Sequence, residues 1–364
     1  MGFTSPNPAV GAVIVKGDRI VAEGYHHRAG SDHAEIVAMR ELMNKSGVKS
    51  VDFDPMLFQN AILYVTLEPC CHVGKTPACA RTIVAAGFRK VFIGMKDPFK
   101  KVNGRGIRYL KNHGIDVEVL SARSRLAEEI RSINQPFIKF VTTGLPYVVM
   151  KAGLSLDGKI APLDGKSKWI TSLPARRDAR LMRSRCDAVI VGNGTVSVDD
   201  PELAPFGRYR GKNILRVVID KKLELDISRK IFRDENVLVA CADQASEKNK
   251  KRFSDAGVEF KSFGQKDVSV KKLLNYLAKR DVCSVFVEGG SSIHGAFFDQ
   301  AMQNDKLLDY VLFYLAPTLI GGRKSKSAIG GIGAKSLASA VNMRKMQFVR
   351  IGSDLKVEGP IKIY

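Results

Sequence analysis

The 364-residue sequence is short of cysteine, of acidic side chains and of long apolar runs, and each shortage excludes something. Six cysteines over this length are too few for a disulfide scaffold. No stretch reaches the roughly 18 consecutive apolar residues of a membrane-spanning helix. The opening MGFTSPNPAV has neither a basic segment nor an apolar core of a secretion signal, so a cytoplasmic location is expected. No Gly-x-Gly-x-x-Gly follows a strand pattern, which argues against a Rossmann dehydrogenase. There is no internal repeat and no low-complexity tract.

Acidic residues number 37 against 58 basic ones, a net charge of +21. The excess is spread along the chain: residues 1–143 carry 20 Lys/Arg against 13 Asp/Glu, and residues 144–364 carry 38 against 24. Every basic stretch is interrupted by acids or apolar residues. Polynucleotide and phosphorylated small molecules both satisfy such a balance, and the dispersion favours the second. With 45% hydrophobic residues, two domains can each bury a core.

Strand and helix signals alternate in the first half. AVGAVIV, the turn KGD and RIVAEGY predict a hairpin. SDHAEIVAMRELMNKSG predicts a helix with Ser31 or Asp32 as N-cap and Gly47 past its end. AILYVTLEP reads as a buried strand, and PACARTIVAAG as a short helix with Pro77 at its first position. KVFIGM, GRGIRYLKNHG and IDVEVL continue towards a mainly parallel, helix-covered sheet. EEIRSINQPFIKFVTTG predicts one helix running into a linker at 142–145, after which YVVMKAGLS, CDAVIVGNGT, ILRVVID, NVLVACA, CSVFVEGGSS and LLDYVLFYLAP resume the alternation. The expected architecture is two α/β domains, 1–143 and 144–364.

Three of the six cysteines crowd into LEPCCHVGKTPACA (67–80). A catalytic zinc site needs three protein ligands and one open position. Upstream, His33-Ala34-Glu35 places a ligand and a general acid/base two residues apart in the first turn of a helix. The strand ending at Pro69 delivers Cys70, and the next helix delivers Cys79 in its first turn, where the dipole favours a thiolate. Cys71 follows Cys70 directly, and neighbouring side chains point apart, so both are not expected on one ion. His72 reads better as a substrate contact. His33, Cys70 and Cys79 are therefore the expected zinc ligands, with Glu35 as acid/base.

With its H-A-E and P-C pattern the chain resembles the cytidine-deaminase-like zinc deaminases. Their usual C-x-x-C is opened here to Cys70 and Cys79, with CHVGKTPA between them. That insertion, with TSPNPAVGAVIV (4–15) and DPFKKVNGRGI (97–107), resembles the bifunctional deaminase/reductase family of riboflavin biosynthesis. KAGLSLDGKIA, WITS, DAVIVGNGTVSVDDPEL, VEGGSSIHGAF and LAPTLIGG extend the resemblance over nearly the whole chain.

The resemblance implies a cytidine-deaminase-like α/β/α domain followed by a dihydrofolate-reductase-like α/β domain. It implies one zinc ion, NADPH, and phosphorylated pyrimidine substrates, with neither nucleic acid nor membrane as a partner; a homo-oligomer is left open. The implied deaminase contacts are Asn7, His26, His72, Lys75 and Asp97. Gly153, Trp169, Thr195, Asp199 and Gly290 would line the cofactor. Ser155, Ser167, Arg183, Leu203 and Arg208 would face the reductase substrate, and Lys151 and Glu288 are the catalytic candidates. Glu288 carries an argument of its own, because a carboxylate ending an apolar strand needs a partner.

The sequence departs from the family at three places. The helix expected ahead of PNP is not in this chain, which begins at Met1. Phe99 stands where an amide is expected, and Phe206 where an arginine is, with Arg208 two positions on. Two other readings are a nucleic-acid deaminase, opposed by the Cys70–Cys79 spacing and the second domain, and a fold that lost its activities, opposed by the intact set of site residues.

Overall fold

The computed structural model describes residues 2–48, 53–71, 78–165, 168–304, 306–362 and 364. The chain forms two compact units, which divide between Thr142 and Thr143; Gly2 belongs with the second unit and Tyr364 with the first.

The first unit is built on the strands β1 (Gly11–Lys16), β2 (Arg19–Tyr25), β3 (Ala61–Val65), β4 (Lys90–Ile93) and β5 (Asp116–Val119), in the order β2-β1-β3-β4-β5. β1 pairs antiparallel with β2 and β3, whereas β3, β4 and β5 run parallel. The helices are α1 (Ala34–Lys45), the short α2 (Pro55–Phe58), α3 (Cys79–Ala85), α4 (Arg105–Asn112), α5 (Arg125–Ile133) and α6 (Gln135–Thr143). Ile14, Met39, Leu63, Ile83, Val91 and Leu110 are fully buried between sheet and helices. Gly24 has no room for a side chain, because a Cβ there would lie 2.4 Å from the Ala38 nitrogen of α1. This close approach seats α1 on the hairpin and fixes the height at which the helix begins.

Two local expectations are corrected. The N-cap of α1 is His33 rather than Ser31 or Asp32, and its side chain makes no capping bond because the ring turns to the two thiols described below. The single helix expected across 128–143 is two, α5 ending at Asn134 and α6 opening with Gln135-Pro136. Pro136 has no N–H to continue the ladder of α5, so a new first turn starts there. Pro77 lies outside the described residues.

The second unit has the strands β6 (Tyr147–Ser155), β7 (Lys159–Ala161), β8 (Ala188–Gly192), β9 (Leu215–Ile219), β10 (Val237–Cys241), β11 (Phe260–Ser262), β12 (Ser284–Val287), β13 (Tyr310–Ala316), β14 (Lys326–Ser327), β15 (Gln347–Ile351) and β16 (Asp354–Pro360). Its helices are α7 (Leu173–Arg185), α8 (Asn193–Asp199), α9 (Glu247–Asp255), α10 (Val270–Ala278) and α11 (Ser291–Gln303). Nine strands form one sheet in the order β11-β10-β9-β8-β12-β6-β13-β16-β15, parallel from β11 to β13 and antiparallel beyond. Every residue of β8, β9, β10 and β12 is buried, as expected of central parallel strands covered on both faces. β6 and β12 are parallel neighbours with Met150 opposite Val287, so Glu288, just past the end of β12, lies beside Lys151 in the middle of β6. No helix among the described residues is long and apolar enough to cross a membrane.

Candidate active sites

Three elements converge in the first unit. The N-terminus of α1 brings His33 and Glu35, the loop after β3 brings Cys70, and α3 opens on Cys79. His33 Nδ1 lies 3.2 Å from Cys79 Sγ and 3.6 Å from Cys70 Sγ, and all three donor atoms fall within 4.8 Å of one another. Tetrahedral zinc with ordinary Zn–N and Zn–S lengths separates such donors by roughly 3.5 Å, so the set fits that ion. Among the described residues this is the only such cluster, and Cys71 is not part of it. The Cys79 N–H donates to Cys70 Sγ at 3.3 Å. The Cys79 thiol, then the His33 ring, hold Cys70 down at about 4 against burial, while the Cys70 thiolate holds His33 above its ordinary value. The hydrogen bond with Cys70, then burial, pushes the Cys79 thiol up rather than leaving it the thiolate its helix position favours, so ligation by both sulfurs must release a proton as metal binds.

Glu35 is only 3% exposed, and burial pushes its carboxyl up to about 7. A carboxyl that exchanges a proton near neutrality beside a metal-ligand set has the properties of a general acid/base. The His26 ring meets the His33 ring edge-on at 5.4 Å. His26 Nδ1 is 3.0 Å from the Asp32 carbonyl and Nε2 is 3.1 Å from Asn7 Nδ2. The carbonyl can only accept, which places the proton on Nδ1 and makes Nε2 the acceptor for the Asn7 amide. Burial keeps His26 neutral by lowering its pKa. Asn7 Oδ1 takes no part in this pair and keeps its capacity to accept.

Glu68 was not singled out from the sequence, yet it organises this site. Its buried carboxylate accepts from the backbone N–H groups of Asp97, Gly104, Gly106 and Ile107 at 2.8–3.2 Å, pinning the 97–107 loop. A Cβ at Gly106 would lie 2.1 Å from the Pro69 carbonyl, so glycine is required there. The signal was available: a charge following the apolar strand AILYVTL needs a partner, as at Glu288. Asp97 is buried and raised to about 6 by that burial, and its Oδ1 accepts from Phe99 N–H at 2.8 Å. The Phe99 ring packs against Leu67, Phe137 and Ile138. His72 and Lys75 lie outside the described residues. A larger apolar cavity of about 860 Å³, lined by residues including Val13, Tyr64, Phe92 and Leu126, contains none of the candidate ligands. Chemistry rather than volume locates the site.

In the second unit a cavity of about 560 Å³ is lined by Lys151, Gly153, Trp169, Arg183, Thr195, Asp199, Leu203, Glu288 and Gly290. Glu288 is gripped at both oxygens, by Lys151 Nζ at 2.9 Å and Arg183 Nη1 at 3.0 Å. Burial alone would raise its carboxyl, but the two cations overcome that and hold it at about 2. Gly290 caps the 13-residue α11, and a Cβ there would meet nothing within 4 Å. This open helix N-terminus suits cofactor phosphates, and the cavity is of the size cofactor sites have. Trp169 lies under the Arg176 guanidinium at 4.1 Å. Ser155 and Arg208 are not among the lining residues: Ser155 Oγ donates to Asp157 at 2.6 Å, and Arg208 stacks on Tyr209 at 5.2 Å. Ser167 lies outside the described residues.

Comparison with known proteins matches both units. The cytidine and deoxycytidylate deaminase zinc-binding region matches residues 1–95, and the RibD C-terminal domain matches residues 146–357. The riboflavin biosynthesis protein RibD of Bacillus amyloliquefaciens is 38% identical over 98% of this chain and 91% of its own length. That of Escherichia coli K12 is 33% identical over 97% and 93%. Acinetobacter baumannii RibD superposes with a TM-score of 0.82 at 32% identity, covering 98% of this chain and 94% of that one. The Thermotoga maritima diaminohydroxyphosphoribosylaminopyrimidine deaminase/5-amino-6-(5-phosphoribosylamino)uracil reductase gives 0.78 at 34%, covering 99% and 94%. The cytidine-deaminase-like and reductase folds expected from the sequence are both present, and the chain belongs to the RibD family of riboflavin biosynthesis, enzymes that join a zinc-dependent pyrimidine deaminase to an NADPH-dependent reductase.

Proposed function

We propose how this chain's residues divide two consecutive steps of riboflavin biosynthesis. The first is hydrolytic deamination of 2,5-diamino-6-(5-phosphoribosylamino)pyrimidin-4-one. The second is NADPH reduction of the ribosyl side chain of 5-amino-6-(5-phosphoribosylamino)uracil to ribityl. The observation that carries the reading is the His33, Cys70 and Cys79 set beside a buried Glu35.

In the deaminase, His33, Cys70 and Cys79 would hold the zinc ion, which would supply the Lewis acidity that makes a water nucleophilic at neutral pH. Glu35 takes the proton released as that water adds to the amine-bearing carbon, then delivers it to the nitrogen that leaves as ammonia. Asn7 Oδ1 accepts from an N–H of the pyrimidine, and Asp97, close enough to Cys70 to feel its charge, stands on a loop held by Glu68. In the reductase, Gly153, Trp169, Thr195, Asp199 and Gly290 would hold NADPH, which would supply the hydride. Glu288 stays ionised at neutral pH and has no proton to give. Lys151, whose ammonium carries three donors and gives one to Glu288, delivers the proton that accompanies reduction. Arg183 and Glu288 hold Lys151 in place. The six unpaired cysteines agree with a reducing cytoplasm.

Elemental analysis tests the metal assignment. Cys79→Ser is expected to lose most of one bound zinc per chain, and Cys71→Ser to keep it. The reverse pattern would overturn the ligand set.

A further inference from the structure

Six cations line the cavity of the second unit, and five are already engaged. Lys151 and Arg183 hold Glu288, Lys168 lies 3.3 Å from Asp199, and Lys230 lies 3.8 Å from Asp200. Arg176 donates to the Thr171 carbonyl at 2.8 Å and covers Trp169. Arg180 is the exception. Among the described residues its side chain has no ion pair and no hydrogen bond, and its guanidinium lies 5.8 Å from the centroid of the Phe206 ring.

The placement of Arg180 is set by α7. Arg176, Arg180 and Arg183 stand at i, i+4 and i+7, so one helix face carries all three into the cavity. Arg183 is buried on Glu288, while Arg180, roughly one turn away, is exposed at the mouth. The reacting carbon and the phosphate of the substrate occupy opposite ends of its ribosyl chain. With the carbon beside Lys151 and Glu288, the phosphate falls towards the outer turn. Residue 206, where the sequence departs from its family, is a phenylalanine lying against Arg180. Arg208, the substitute suggested by the sequence, is turned onto Tyr209 outside the lining.

We propose that Arg180 binds the 5′-phosphate of the reductase substrate and takes the place of the arginine missing at position 206. Its planar fork matches two phosphate oxygens, and the Phe206 ring supports one face of the guanidinium while leaving its N–H edge free. NADPH also carries a phosphate monoester, so the test must separate the two. The inference rests on the assignment of this cavity to the reductase.

The experiment is steady-state reduction by Arg180→Gln, an exposed substitution, using the phosphorylated substrate and its dephosphorylated counterpart, each with NADPH and with NADH. Losing a charge-assisted phosphate contact should raise KM for the phosphorylated substrate by about 10- to 100-fold. The dephosphorylated substrate and the preference for NADPH over NADH should be unaffected. Adding Phe206→Arg to Arg180→Gln should restore the affinity. An unchanged ratio of phosphorylated to dephosphorylated substrate, a shift confined to the NADPH/NADH preference, or the same loss from Arg208→Ala instead would overturn it. Normal wild-type turnover with an indifferent Arg180→Gln sinks the role of Arg180 alone. Absent wild-type reduction would instead sink the assignment of the cavity.

Discussion

Glu35→Gln is expected to lower ammonia release by about 10³-fold while zinc content and the reduction of supplied aminouracil stay at wild-type levels. The size of the effect follows from two duties falling on one carboxyl. Glu35 must remove a proton from the attacking water and return it to the departing amine, and a glutamine amide can do neither. The substitution keeps the side chain's shape in a pocket where it is 3% exposed, so packing is preserved. Retention of zinc separates a lost proton carrier from a collapsed site. Reduction is expected to survive because the two units have separate hydrophobic cores. Residual deamination within tenfold of wild type would contradict the assignment, as would a parallel loss of reduction.

The second large effect is expected at Glu288. Lys151 holds one carboxylate oxygen at 2.9 Å and Arg183 the other at 3.0 Å. Removing the charge strands two cations at a buried site and should cost about 3 kcal/mol in the reductase unit. The pH dependence has a definite sign. The folded carboxyl sits at about 2 against an ordinary 4.5, so its contribution is present above pH 4.5 and is lost as pH falls towards 2. The variant should lack this acid-labile part of the wild-type stability. Reduction per folded molecule should also fall by about 10²-fold or more, because Lys151 loses the anchor that aims its proton. A destabilised variant whose folded fraction reduces at the wild-type rate would make the trio a structural tie between strands.

What the sequence disclosed, and what it hid, follows from how local each signal is. His33, Glu35, Cys70 and Cys79 sit in short motifs at the ends of strands and helices, where residue type and spacing nearly dictate geometry. The buried strands β8, β9, β10 and β12 announced themselves as short, largely apolar runs. The charge of Glu68 after an apolar strand is legible, but its four partners are not, because they are backbone amides in a loop at least 29 residues further on. The break at Asn134 was hidden by an apolar pattern that continues across Pro136. The hairpin of β15 and β16 went unread because QFVRI is almost entirely exposed and has no buried face to give it a period. Arg180 could not be distinguished from Arg176 or Arg177 without knowing which helix face meets the cavity and which partners each arginine already has.

The central claim is that one chain performs both steps in order. It is tested most directly by supplying the purified, zinc-loaded chain with 2,5-diamino-6-(5-phosphoribosylamino)pyrimidin-4-one and NADPH, and following ammonia and NADPH together. The expected result is one NADPH oxidised per ammonia released, after a lag that disappears when the aminouracil is supplied directly. Ammonia release without any NADPH oxidation, or NADPH oxidation that neither waits for ammonia nor responds to added aminouracil, would contradict it.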